Sequence, residues 1–129
     1  MVDLSRTHRC YELAGRRVVQ DGGVLVHGAV KSLRHPEPVD HAWVEVIDYV
    51  YQVDGHWLQG DGVWDPVIEV THSRETFERI FEPRVDARYT QVQVNAIVFI
   101  VQHWGPWRLG EMPGWVAEQL AASNVCPPI

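Results

Sequence analysis

Apolar positions keep a helical spacing near the start of the chain and alternate along much of the remainder. Cys10, Leu13, Ala14, Arg17 and Val18 fall near the i, i+3, i+4, i+7 and i+8 positions of one helix face. The spacing predicts a helix over residues 8–20, with Ser5 or Thr7 as cap and Asp21-Gly22-Gly23 as stop. Residues 24–30 are rich in β-branched side chains and predict a strand, and residues 33–39, with Pro36 and Pro38, predict a loop. Residues 40–53 alternate: Ala42, Val44 and Val46 share one face, and His41, Trp43 and Glu45 share the other. The stretch from Asp54-Gly55 to Asp61-Gly62 has the composition of a turn, so residues 63–70 are expected to return antiparallel. Ser73 is placed to cap a short helix over 74–81, ended by Glu82-Pro83.

Residues 90–104 satisfy two patterns. Val92, Val94, Ile97, Val98, Ile100 and Val101 favour a strand, whereas Thr90 can cap a helix and Gly105-Pro106 can end one. A buried helix is the preferred reading. Met112-Pro113-Gly114 opens a last helix through about Ser123. The expected fold class is α+β, an N-terminal helix packed on an antiparallel sheet, in one domain spanning residues 1–129.

Composition narrows the function classes. The formal net charge is −6 and the arginines are scattered apart from Arg16-Arg17, which argues against a nucleic-acid partner. The longest apolar run, residues 96–101, is far short of the roughly 18 residues that a membrane helix needs, so no membrane partner is expected. The first residues lack the charged-then-apolar order of a secretion signal, and a cytoplasmic protein is expected. The two cysteines, Cys10 and Cys126, are therefore read as free thiols.

Cys10, His41 and Asp65, in that order, can supply a nucleophile, a base and the group that orients the base. The partial positive charge at a helix N-terminus stabilises an anion there, and Cys10 is expected in a first turn. His41 heads an alternating strand and Asp65 lies near the start of the next. Pairing them requires either a large turn or a first strand that runs past its partner. Taken singly, each has an ordinary explanation: a small buried hydrophobe, a strand-end histidine, a turn-opening Asp-Pro.

The flanks of these residues resemble the transglutaminase-like branch of the papain-like cysteine enzymes. The matching blocks are Cys10 with Ala14, His41-Ala42-Trp43-Val44-Glu45-Val46, the turn Asp54-Gly55-His56-Trp57, and Trp64-Asp65-Pro66. They span about residues 8–68, half the chain. The resemblance implies a papain-like core and a covalent thiol enzyme, an amide or peptide hydrolase or else a transglutaminase-type acyltransferase. Its catalytic residues would be Cys10, His41 and Asp65, and its partner a peptide or protein substrate. Small leader-peptide proteases of that superfamily are similar in size. Two positions depart from the pattern: His8 stands where Gly is usual, and Tyr11 where Trp is frequent. The oxyanion donor is thus open between the Cys10 N–H and a side chain of Ser5, Thr7 or His8.

Trp43, Trp64 and Tyr11 are the candidate substrate-binding residues, Trp57 would extend the same groove, and core packing explains the tryptophans equally well. Trp104, Trp107 and Tyr89 are expected to pack or to rim a cleft. His27, His41 and His72 could converge, but without a His-x-x-x-His or Cys-x-x-Cys pair no metal or other cofactor is expected. Glu45 is read as a solvated charge or a support to His41. The rival to an enzyme is a catalytically silent peptide-binding module on the same fold.

Overall fold

The computed structural model describes residues 9–32 and 35–123. The element order is α1 (Cys10–Asp21), β1 (Val24–Ser32), β2 (His35–Val53), β3 (His56–Asp65), β4 (Val70–Ser73), α2 (Arg74–Phe81), β5 (Arg84–Thr90), α3 (Gln91–Val101), a 3-10 turn (Leu109–Glu111) and α4 (Gly114–Ser123). The fold is α+β, an N-terminal helix with a five-stranded antiparallel sheet of order β4-β3-β2-β1-β5.

Alternation along the strands sorts the core onto the two faces of the sheet. Leu25, Ala42, Val44 and Trp64 pack under α1, α3 and α4, meeting Cys10, Ala14, Val18, Val94, Ile97, Val116 and Leu120. Val26, Trp43 and Val63 point the other way and are closed over by Phe77 of α2. The N-terminal helix lies across β2 and β1, so its first turn is held over the middle of the sheet.

Three expectations change, each for a local reason. Residues 35–39 belong to β2 rather than to a loop: Val39 pairs with Val30 and His35 with Ser32. β3 pairs with β2 only from Val44 onward, so the early part of β2 has β1 on one side alone. Strands with an open edge tolerate proline, because a missing N–H there need not break a ladder. Residues 56–62 belong to β3 rather than to a turn. Asp54 and Gly55 both adopt positive φ, 50° and 80°, which closes a two-residue hairpin and commits His56 opposite Val53. The strand expected over 63–70 is broken after Asp65, and the chain turns before β4 starts at Val70.

Residues 91–101 form a helix. The Thr90 hydroxyl accepts the Gln93 N–H (3.2 Å), and the Gln93 side chain accepts the Thr90 N–H (2.9 Å). This reciprocal cap satisfies two orphan donors and fixes the helix start against the β-branched preference of the sequence. The helix ends at Gln102 in the left-handed conformation (φ 63°), before Gly105-Pro106 is reached. Ser73 caps α2 as expected, accepting the Thr76 N–H. α1 starts at Cys10 rather than at residue 8, with Arg9 in the N-cap position and no side-chain cap. Ser5 and Thr7 lie outside the described residues.

Candidate functional site

Cys10 is the first residue of α1 and faces inward with Ala14, Gly15 and Val18. The first N–H groups of a helix have no acceptor within it, and the ladder here opens with Leu13 N–H donating to the Arg9 carbonyl. The Cys10 thiol therefore sits at the positive pole of α1. Glu12, on the solvent side, pairs with Arg9 and Arg16 and so does not spend its charge on the thiol.

His41 and Asp65 meet because β2 outruns β3. Val44 pairs with Trp64, after a register shift between Val46 and Tyr49. β3 ends at Asp65, the residue after Trp64, while β2 extends back past Val44 to His41, which leaves the two side chains within reach at the end of the ladder. His41 Nε2 and Asp65 Oδ2 are 3.1 Å apart. The other carboxylate oxygen of Asp65 accepts the Val67 N–H (2.8 Å) and the Ile68 N–H (3.5 Å). Asp65 thus builds the turn that ends β3 and holds the imidazole with the same side chain. With Nε2 committed to Asp65, Nδ1 is the ring nitrogen left for the thiol, and Cys10 joins Asp65 in favouring the charged ring.

Cys10, His41 and Asp65 are 4%, 9% and 5% exposed. Burial works against a charged imidazole, but hydrogen bonds and charge from Asp65 and Cys10 outweigh it and raise the His41 pKa to about 9. Burial likewise pushes Asp65 up, yet the imidazole and the Val67 and Ile68 N–H groups hold it below the usual carboxylate value. At neutral pH the ring is therefore an imidazolium paired with the Asp65 carboxylate.

These shifts set the stability profile. His41 titrates near 6.5 when unfolded and near 9 when folded, so its contribution is complete below about pH 6.5 and is lost as pH rises through 9. His27 is displaced the other way: burial lowers it to about 4, so stability falls as pH drops from about 6.5 through 4. The urea midpoint is expected to peak near pH 6.5, with each limb on the order of 2–3 kcal/mol. His41→Gln should remove the alkaline limb and keep the acid one. An alkaline limb that survives this substitution contradicts the assignment.

The candidate substrate-binding residues do not share one groove. Trp43 is packed beneath α2, whereas Trp64 belongs to the core on the opposite face, with the Arg17 guanidinium 4.5 Å from its ring centroid. Trp57 is exposed beside the Asp54-Gly55 turn. Tyr11 is different: it lines a cavity of about 470 Å³ together with Tyr89 and Trp107. Glu45 is neither solvated nor in contact with His41. It is buried, held by two hydrogen bonds from Arg88 (3.0 and 3.2 Å) and one from Arg74 (3.1 Å). A carboxylate on an inward-facing strand position beside Trp43 needs such partners, which was the available sequence signal. Among the described residues no three His, Cys, Asp or Glu side chains are grouped to hold a metal ion. His27 packs against Tyr11, Tyr89 and Trp107, and His72 against Phe77 and Phe81, so neither accompanies His41. Of the oxyanion candidates, Ser5, Thr7 and His8 lie outside the described residues, as does Cys126.

Set against protein-family models, curated proteins and solved structures, the chain matches none of them. Among the described residues no helix is long and apolar enough to cross a membrane.

Proposed function

We propose that the protein is a papain-like, transglutaminase-like thiol hydrolase acting on peptide amides, with Cys10 as nucleophile, His41 as base and acid, and Asp65 as the group that orients His41. The observation that carries this reading is His41 bonded through Nε2 to a buried carboxylate at 3.1 Å, with its charge favoured also by a thiol that opens a helix. A histidine that merely fills a strand end needs neither partner.

In the proposed reaction the Cys10 thiolate attacks the amide carbon and forms an S–C bond. Backbone N–H groups at the start of α1, that of Cys10 among them, stabilise the oxyanion. Collapse breaks the C–N bond, and the His41 imidazolium gives its proton to the leaving amine. Water then attacks the thioester while His41 accepts its proton, and the thiolate departs. Hydrolysis is preferred to acyl transfer because water needs no second binding site. A cytoplasmic enzyme without a metal or organic cofactor fits this chemistry.

The low exposure of Cys10 favours a second reading, a silent peptide-binding module with a buried structural thiol. Iodoacetamide separates the two. At pH 6 an activated Cys10 should alkylate at least about tenfold faster than N-acetylcysteine or Cys126, because free thiols are almost wholly protonated there. Labelling of Cys10 no faster than these references would leave the silent module. Peptide-library hydrolysis, with Cys10→Ala as the inactive control, then identifies the substrate.

A further inference from the structure

A cavity lined by Tyr11, the residue after the thiol, plays no part in the chemistry above. Tyr11, the residue after Cys10, forms one wall of the 470 Å³ cavity. His27 stands at its inner end, with ring centroids 4.8 Å from Tyr11, 4.9 Å from Tyr89 and 5.1 Å from Trp107. His27 is only 6% exposed, and its Nε2 has no hydrogen-bond partner among the described residues. A buried polar atom left unpaired costs about 1–3 kcal/mol, a cost that a donor brought in by a ligand would relieve. Both charged residues lining the cavity are carboxylates, Asp40 and Asp86.

We infer that this cavity is the subsite for the acyl part of the substrate and that it takes a side chain with an apolar stem and a cationic end, lysine or arginine. The inference rests on the thiol reading for its place in the reaction, since the acyl group is the part that stays on Cys10, beside Tyr11. The cavity chemistry stands by itself. Aromatic faces attract a cation and pack an alkyl stem. The rim already holds one guanidinium: Arg84 makes a two-pronged contact with Asp86 (2.9 and 3.2 Å) and lies 4.0 Å from Asp40. One guanidinium between two carboxylates leaves one formal negative charge for an incoming cation. His27, neutral at pH 7 because burial lowers it to about 4, does not repel that cation, and its Nε2 can accept a hydrogen bond.

The test uses acetyl-dialanyl chloromethyl ketones ending in Lys, Leu or Glu. With each, Cys10 sulfur bonds the methylene carbon, the C–Cl bond breaks and chloride leaves. Each rate is divided by the iodoacetamide rate of the same protein, which reports the thiol alone. The Lys reagent should exceed Leu by at least about tenfold and Glu by more, and 0.5 M NaCl should narrow the gap because exposed charges are screened. Joint Asp40→Asn and Asp86→Asn substitution should bring the Lys/Leu ratio down about tenfold. If that variant does not fold, Asp40→Lys, at an exposed position, should do the same. A Leu rate equal to or above the Lys rate overturns the subsite, and so does a ratio indifferent to these substitutions. Slow iodoacetamide labelling would instead sink the thiol reading. The cavity is then judged from tryptophan emission on titrating N-acetyl-lysine amide against N-acetyl-norleucine amide. Tighter binding of the lysine probe supports it, and equal binding overturns it.

Discussion

Asn in place of Asp65 is expected to slow alkylation of Cys10 at pH 6 by at least tenfold and to cut the proposed hydrolysis by about 10²–10⁴. The substitution preserves shape and one of the two jobs of this side chain. An Asn carbonyl can still accept the Val67 and Ile68 N–H groups that close the turn. The atom facing His41 Nε2 becomes an NH2 donor, so the imidazole loses its negative partner and is pushed toward the wrong tautomer. His41 should then titrate well below its present value of about 9, because burial still opposes the charged ring while Asp65, the larger of its two attractions, is gone. NMR of the imidazole protons reads this directly and needs no substrate. A His41 titration unchanged in Asp65→Asn would show that the carboxylate does not set the ring's charge. Asp65→Ala should be worse, since it also strips the turn of its acceptor.

Gly28→Ala is expected to destabilise the protein by about 3 kcal/mol, the upper end of what overpacking typically costs. A Cβ at this position would lie 2.0 Å from the Arg84 carbonyl oxygen and 3.0 Å from the Trp43 ring. The first contact is backbone, on a strand paired with β1, so no side-chain rotation relieves it. The cause is the register shift between His27 and Gly28, where β5 closes on β1. Gly28 is also the β1 partner of His41, so any outward shift of β5 or β2 reaches the imidazole. The urea midpoint should fall sharply, and residual folded protein should label more slowly with iodoacetamide. Gly110→Ala, where nothing lies within 4 Å of the added carbon, should stay within about 0.5 kcal/mol of the parent. Equal midpoints for the two variants would discredit the close approach.

Local chemistry made several elements legible from sequence. Ser73 and Thr90 announce helix starts because a hydroxyl can satisfy an orphan N–H whatever the rest of the fold does. The inward placement of Cys10 follows from helical spacing, and the two faces of β2 follow from alternation. What sequence left open depended on partners far along the chain. Pro36 and Pro38 look like loop residues until it is known that β3 covers only part of β2. Glu45 looks solvated until Arg88 and Arg74, more than twenty-five residues away, are brought to it. Whether His41 could reach Asp65 turned on a register shift and on the length of a turn, and neither has a residue signature of its own. The cavity was the least visible feature, since His27, Asp40, Tyr89 and Trp107 come from four separate segments.

The divided carboxylate of Asp65 has a consequence for the loop behind it. One oxygen is held by the main chain of Val67 and Ile68, and the other by His41. The carboxylate plane is thereby pinned from both ends, and the imidazole takes part of its orientation from peptide groups. The exposed side chain of Ile68 can then vary widely, whereas Val67→Pro, which removes the shorter of the two main-chain bonds, would loosen the carboxylate without touching Cys10 or His41.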